Sequence, residues 1–158
     1  MVNGDTVTVA RGNYEAGSFD PQSSGSSMFR LIGLYGNIMC VDDALSCVLN
    51  GSGTRTAMYL YGTSGGLLVL RGLVFANGYR EYGGGLSIQI GVQVTLVVCS
   101  FQQNQGTIKG GGIEVSPSSN LVDLYGVSFS GNTSPNGPDI HVNSGTVTIH
   151  STCSAGEN

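Results

Sequence analysis

The sequence has few charged side chains and no cluster of basic ones. Aspartate, glutamate, lysine and arginine together make up 10% of the 158 residues, and the formal net charge is −4. Lys109 is the only lysine, so the chain lacks the basic patch with which nucleic-acid-binding proteins displace counterions. No apolar run approaches the ~20 residues of a membrane-spanning helix. We therefore expect neither nucleic-acid binding nor membrane insertion of this segment.

Glycine and apolar residues dominate the composition instead. There are 26 glycines, and apolar residues reach 40% of the chain, which is too many for a disordered segment. Chains that turn often and bury β-branched residues have this composition, whereas helical bundles do not. Because the length suits a single domain, we expect residues 1–158 to form one all-β domain.

A repeat with a period near 27 residues runs through most of the chain. Phenylalanines recur at intervals of 26 and 28 residues, and apolar residues further along each copy recur at intervals of 27. These positions are Phe75, Phe101 and Phe129, followed by Leu86, Ile113 and Ile140.

Each copy contains short alternating strands interrupted by Gly or Pro, and none keeps the spacing of a helix. Such a unit cannot bury its apolar face alone, but copies stacked at ~4.8 Å can. The period therefore predicts a single-stranded right-handed parallel β-helix of about five to six coils. A β-sandwich or jelly roll, the main alternative, does not require equivalent residues at a fixed interval.

The stacked repeat predicts where conspicuous side chains lie. We expect the three phenylalanines to form an internal ladder. Asn77, Asn104 and Asn132 follow them, and we expect these asparagines to line a corner, where their amides bond along the stack or cap turns.

The four cysteines are expected to differ in state. Cys99 and Cys153 lie two periods apart, which is ~9.6 Å in the stack and too far for a disulfide, so both are expected to be buried thiols. Cys40 and Cys47 flank a short loop that a disulfide could close, and we expect that bond.

Glycine triplets precede two strands, as Gly83–Gly85 and Gly110–Gly112, and a third copy is altered to Gly137–Asp139. They lack the G-K-[ST] context of a phosphate-binding loop. We interpret them as corners, where access to φ > 0 lets the chain turn without a Cβ clash.

Two patterns in the sequence resemble those of known β-helix families. F-x-x-N followed by G-G-x-I, here Phe101–Asn104 with Gly111–Ile113, is similar to the repeats of the chlamydial polymorphic outer-membrane proteins. "NGDTVTVARGNY" at 3–14 is similar to the opening of many pectin-lyase-like β-helices. The resemblance implies a secreted surface module used in adhesion, and in the wider superfamily it implies polysaccharide lyases, hydrolases and epimerases. Two copies depart from the pattern, one at Pro138 and Asp139 and one after Phe75, where "ANG" is one residue short.

If the apolar residues of the repeat point inward, their neighbours point outward and form two columns. The columns are Tyr59, Ser87, Glu114 and His141, and Tyr61, Gln89, Ser116 and Asn143. A flat face of rings, amides and hydroxyls suits sugar binding, so these eight residues are the candidate glycan contacts. An ordinary solvated face is the alternative.

The evidence for catalysis is poor. Glu114 and His141 would be neighbours one coil apart and could act as a general acid–base pair, with Asp139 and Lys109 at the adjacent turn, but a surface ion pair of small value is the favoured explanation.

Metal binding has little more support. Calcium requires six to eight oxygens, and Asp42 and Asp43 are the only adjacent carboxylates. We expect no metal and no cofactor.

The sequence therefore predicts a non-enzymatic structural or adhesive module, extracellular or on the cell surface, that binds a polysaccharide or cell-surface glycan. The alternative is a carbohydrate-active enzyme or its core fragment. Acceptor patterns for N-glycosylation at Asn50 and Asn132 favour the extracellular setting. Open β-helix ends without a capping helix predict end-to-end association, or membership of a longer secreted chain.

Overall fold

The computed structural model describes residues 5–15, 27–32, 36–42, 45–61, 66–89, 91–116 and 121–150. Among these residues there is no helix, and hence none that is long and apolar enough to cross a membrane. The described strands are β1 (Asp5–Val9), β2 (Gly12–Glu15), β3 (Ser27–Ile32), β4 (Gly36–Cys40), β5 (Cys47–Asn50), β6 (Thr56–Tyr61), β7 (Gly66–Arg71), β8 (Leu73–Ala76), β9 (Tyr79–Tyr82), β10 (Leu86–Gln89), β11 (Val92–Val97), β12 (Ser100–Gln102), β13 (Gln105–Lys109), β14 (Ile113–Val115), β15 (Leu121–Tyr125), β16 (Ser128–Ser130), β17 (Ile140–Val142) and β18 (Thr146–Ile149).

The strands stack into three long parallel sheets. Sheet 1 has the order β1-β4-β7-β11-β15-β18, sheet 2 has β2-β5-β8-β12-β16, and sheet 3 has β3-β6-β10-β14-β17. The chain visits sheets 1, 2 and 3 in turn and then begins the next coil, so every pairing is with the equivalent strand one coil away. Leu86 pairs with Ile113, which pairs with Ile140, a step of 27 residues each time. The predicted all-β parallel solenoid is confirmed, whereas its right hand stays a prediction.

The number of coils is smaller than predicted. Each five-stranded sheet contains four coil-to-coil steps, so the solenoid makes about four turns rather than five to six. The sequence count treated partial copies at the ends as whole coils. Within the described residues, β18 adds a strand to sheet 1 without matching strands in sheets 2 and 3.

The core is a column of side chains enclosed by the three sheets. In β11, "VQVTLV", Val94 and Leu96 are fully buried while Gln93 is exposed, as strand alternation requires. The phenylalanine ladder is confirmed: Phe101 stacks on Phe75 at a centroid distance of 4.6 Å and on Phe129 at 5.3 Å. These ring pairs add to the free energy of apolar burial that holds the coils together.

The last strand of sheet 3 is less buried than its predecessors. Ile113 and Val115 in β14 are fully buried, whereas Ile140 in β17 is only partly buried and Val142 is 41% exposed. β17 is the edge strand of the described sheet, so no further described coil covers these side chains.

The asparagine corner forms from two of its three expected members. Asn104 and Asn132 are buried, and Asn104 Nδ2 donates to Asn132 Oδ1 at 3.0 Å. Asn77 was wrongly included, because Phe75 is followed by one residue fewer and Gly78 occupies the equivalent position. The Gly78 N–H donates to Asn104 Oδ1 at 2.8 Å, while Asn77 Nδ2 donates outside this row to Asn50 Oδ1, one coil earlier, at 3.3 Å.

The glycine triplet combines two separate requirements. Gly110 has φ of +60° and its position suits only a residue without Cβ. Gly112 instead lies against the next coil, since a Cβ there would come within 2.6 Å of Asp139 O. The altered copy at Gly137–Asp139 keeps a glycine with positive φ at Gly137. Pro138 and Asp139 replace the other two glycines, which in the earlier copies lie against the next coil.

The structure joins Cys40 to Cys47 in a disulfide. Cys99 is a buried thiol whose Sγ donates to Leu70 O at 3.4 Å. Cys153 lies outside the described residues.

Candidate functional site

The outer face of sheet 3 carries the first predicted column in register. Tyr59 pairs with Ser87, Ser87 with Glu114, and Glu114 with His141, from β6 through β17. Four successive coils therefore present one residue each at the same position.

The second column is less complete. Tyr61 and Gln89 pair in β6 and β10, although the side chain of Tyr61 lies outside the description. Ser116 and Asn143 follow the ends of β14 and β17, where their N–H groups continue the ladder by donating to Ile88 O and Val115 O, both at 2.9 Å.

This face is covered, which the sequence analysis did not predict. β9 and β13 form a small separate sheet, here called the covering strands, and the chain after each of them passes directly against the column. Gly83 approaches Ser87 and Gly110 approaches Glu114 so closely that neither glycine could carry a Cβ. Thr56 Oγ1 donates to Gly83 O at 3.0 Å and fastens the first covering strand to sheet 3.

The covering strands change the accessibility of the candidate residues. Ser87 is 1% exposed and Glu114 is 2% exposed. The Arg80 guanidinium lies 5.9 Å from the centre of the Tyr59 ring, so a cation occupies the aromatic face that was expected to receive a sugar. The expected flat, open face is therefore wrong for these members of the column. The outward direction was predicted correctly, but outward side chains are solvent-exposed only where nothing folds back over them.

Glu114 lies within a small polar network. Ser87 Oγ donates to Glu114 Oε2 at 3.4 Å, and Gln89 Nε2 donates to the same oxygen at 3.2 Å and to Ser87 Oγ at 3.1 Å. Burial raises the pKa of Glu114, and the Ser87 hydrogen bond and the positive charge of Lys109 oppose that rise in part. Burial therefore makes Glu114 retain its proton to higher pH than an exposed glutamate, and the network limits that effect.

His141 lies one coil further, on the edge strand β17. Burial lowers its pKa, and the charge of Lys109 lowers it further, so the neutral imidazole is favoured. Its Nδ1 atom is buried without a hydrogen-bond partner among the described residues. No hydrogen bond joins Glu114 to His141 within that same set, so the two groups predicted as an acid–base pair are neighbours that are not directly coupled.

The other catalytic and metal candidates have structural partners. Asp139 Oδ1 accepts a hydrogen bond from Asn132 Nδ2 at 3.0 Å and so extends the asparagine corner. Asp42 forms an ion pair with Arg11 and accepts a bond from Ser46 Oγ at 2.9 Å. Asp43 lies outside the described residues. In the described ranges, no three His, Cys, Asp or Glu side chains come together as metal ligands.

A carboxylate–imidazole pair does occur, but on sheet 1. His150 Nε2 lies 3.1 Å from Asp123 Oδ1, and the His150 ring stacks on Tyr125 with a centroid distance of 3.9 Å. The sequence contained a signal for this pair, because Asp123 and His150 are separated by one 27-residue period. The outward columns were predicted for sheet 3 alone, so this pair on sheet 1 was missed.

Comparisons with known proteins add no identification. No protein-family model matches this chain, and neither a curated protein nor a solved structure matches it. The fold defines the chain as a parallel β-solenoid, and its function has to be argued from its own side chains.

Proposed function

We propose that the chain is a non-enzymatic structural and adhesive module of an extracellular or surface-displayed protein, and that it binds glycans. The burial of Glu114 carries this proposal. A general acid must come within hydrogen-bond reach of the substrate atom that it protonates, and a 2% exposed carboxyl group held by Ser87 and Gln89 is not within that reach.

Glycan binding is proposed for the exposed tyrosines of the covering strands. Tyr79 and Tyr82 are each 41% exposed, and a tyrosine offers both an apolar ring face and a polar hydroxyl to a sugar. Gln105 pairs with Tyr79 across the two strands, and Lys109 pairs with Tyr82. Each tyrosine is thus paired with a residue whose amide or ammonium group can bond sugar hydroxyls or carboxylates.

The exposed members of the predicted columns extend this surface. Asn143 is exposed, and Gln89, Ser116 and His141 are partly exposed, so they stay in the proposed set of glycan contacts. Ser87, Glu114 and Tyr59 are excluded from direct contact in this proposal and support the covering strands instead.

The repeat patterns support a finer proposal about kinship. F-x-x-N and G-G-x-I coincide with the phenylalanine ladder, the buried asparagine corner and the glycine corner, which are the residues that stacking needs most. This correspondence favours a relationship to the pectin-lyase-like and polymorphic outer-membrane repeats that the sequence resembles.

A glycan array combined with an activity screen on pectin, alginate and hyaluronan tests the function. We expect binding to acidic or neutral polysaccharides that is lost in the double variant Tyr79→Ala, Tyr82→Ala. The matched control is Tyr125→Ala, which removes a tyrosine of equal exposure from sheet 1. Release of unsaturated oligosaccharides would overturn the non-enzymatic proposal. Binding that survives the double variant would overturn the proposed surface.

A further inference from the structure

Four asparagines in this chain are followed by glycine. They are Asn3–Gly4, Asn50–Gly51, Asn77–Gly78 and Asn136–Gly137. This dipeptide is prone to spontaneous deamidation, because glycine has no side chain to hinder attack by its own amide nitrogen on the preceding side chain. Asn3–Gly4 lies outside the described residues, and the fold treats the other three very differently.

Two of the three dipeptides are protected. The Gly51 N–H donates to Ala76 O at 2.8 Å, and the Gly78 N–H donates to Asn104 Oδ1 at 2.8 Å. Both glycines are buried between coils. Their nitrogens cannot become nucleophiles until the local stack opens, which costs free energy in the ordered part of a fold.

The third dipeptide lacks this protection. Asn136 and the preceding Pro135 are exposed, and the Gly137 N–H donates to no acceptor within the described residues. The Asn136 side chain is held by one exposed bond, from its Nδ2 to Ile108 O at 2.9 Å, and its N–H donates to Ser134 Oγ at 3.4 Å. Exposed hydrogen bonds such as these contribute little net stability each and open more readily than a buried coil interface.

We propose that, of the three described Asn-Gly dipeptides, Asn136–Gly137 is the one that deamidates in the folded protein. The Gly137 nitrogen loses its proton to solvent base and attacks Cγ of Asn136, forming an N–Cγ bond. The Cγ–Nδ2 bond then breaks, and Nδ2 leaves as ammonia after taking a proton from water. Water hydrolyses one of the two C–N bonds of the resulting cyclic imide, so the product is aspartate or isoaspartate.

The isoaspartate product has a specific consequence for the coil. Asn136 O accepts from the Gly110 N–H at 3.0 Å, and Gly137 O accepts from the Gly111 N–H at 3.3 Å. In isoaspartate the chain runs through Cβ and Cγ of residue 136, and the former Asn136 carbonyl becomes a free carboxylate, so both bonds cannot keep their register. The modification therefore loosens the last described coil from the glycine corner of the coil before it.

Peptide mapping of aged protein tests the proposal. Purified chain is incubated at physiological temperature and mildly alkaline pH in heavy-oxygen water, folded and in denaturant, and label uptake is followed at Asn50, Asn77 and Asn136. In the folded protein we expect Asn136 to react at least about tenfold faster than the other two, because they need local opening first. In denaturant the three rates should converge.

The variant Asn136→Gln provides the matched control, since glutamine keeps an amide and cyclises much more slowly. It should take up no label at residue 136 and should keep the hydrogen-exchange protection of Gly110 and Gly111, which aged wild-type protein loses. Equal rates at the three sites in the folded protein would refute the proposal. The proposal would also be refuted if folding lowered the deamidation rate at Asn136 by the same factor as at Asn50 and Asn77.

Discussion

The substitution Asn104→Ala tests whether buried amides or apolar stacking hold the coils together. Asn104 is fully buried, and its side chain makes three hydrogen bonds that join its own coil to the coil before it and to the coil after it. Oδ1 accepts from the Gly78 N–H at 2.8 Å, and Nδ2 donates to Phe75 O at 2.9 Å and to Asn132 Oδ1 at 3.0 Å.

The expected cost follows from what the truncation leaves behind. Asn132 Oδ1 keeps a partner, because the Asn104 backbone N–H also donates to it at 3.0 Å. The Gly78 N–H and the Phe75 carbonyl lose these partners inside the stack. At about 1–3 kcal/mol for each buried unsatisfied group, the free energy of unfolding should fall by about 4 kcal/mol. For a chain of this length that loss lowers Tm by about 8–16 °C.

Equilibrium unfolding in urea measures this loss, provided that the m-value stays constant. The control is Asn143→Ala, which removes an exposed asparagine and should change stability by less than about 0.5 kcal/mol. A point substitution typically changes the free energy of unfolding by about 1 kcal/mol. If the free energies of unfolding of Asn104→Ala and the control differ by no more than this, the asparagine corner does not hold the coils together. The phenylalanine ladder would then have to do so.

Three further perturbations, two by substitution and one by reduction, probe separate features. Gly112→Ala should destabilise by about 3 kcal/mol or more through overpacking, whereas Gly53→Ala, with φ of +67° and open space around it, should cost about 1 kcal/mol; thermal melts compare the two. Because burial raises the pKa of Glu114 above its ordinary 4.5, its favourable contribution is complete at acid pH and is lost as pH rises through the folded-state pKa. Glu114→Gln should remove that loss. The urea midpoint of the variant, relative to that of wild type, should therefore be higher at neutral pH than at acid pH. The Cys40–Cys47 disulfide closes a loop with a sequence separation of 7. Its reduction should lower the free energy of unfolding by about 2–3 kcal/mol in the same urea titration, and an unchanged free energy would contradict this expectation.

The interior of the solenoid could be predicted from the sequence because stacking imposes one rule on every copy. A residue that faces inward meets its own equivalent one coil away, so the phenylalanine ladder and the Asn104–Asn132 contact follow from the period alone. The one wrong assignment, Asn77, came from a copy that is one residue short. Counting from Phe75 would have identified Gly78 at that position.

The exterior could not be predicted in the same way. The alternation of β10 and β14 fixes which side chains point outward, but it carries no information about segments that fold back over them. β9 and β13 are encoded in stretches that lack clear alternation, and their position depends on Gly83 and Gly110. Burial of Ser87 and Glu114 is therefore a tertiary result of those two turns and cannot be inferred from the column itself.

The altered glycine corner at Gly137–Asp139 constrains how anything can stack on this end. At the equivalent position in the two preceding coils, a Cβ on Gly85 would come within 2.6 Å of Gly112 O, and one on Gly112 would come within 2.6 Å of Asp139 O. Asp139 has a Cβ, so a coil with the same geometry could not be added over it without a clash. End-to-end association, or a further coil of any longer chain, must therefore depart from the repeat at this corner. Asp139→Gly should remove that obstacle, and at the same time it should lose the carboxylate that Asn132 Nδ2 contacts at 3.0 Å.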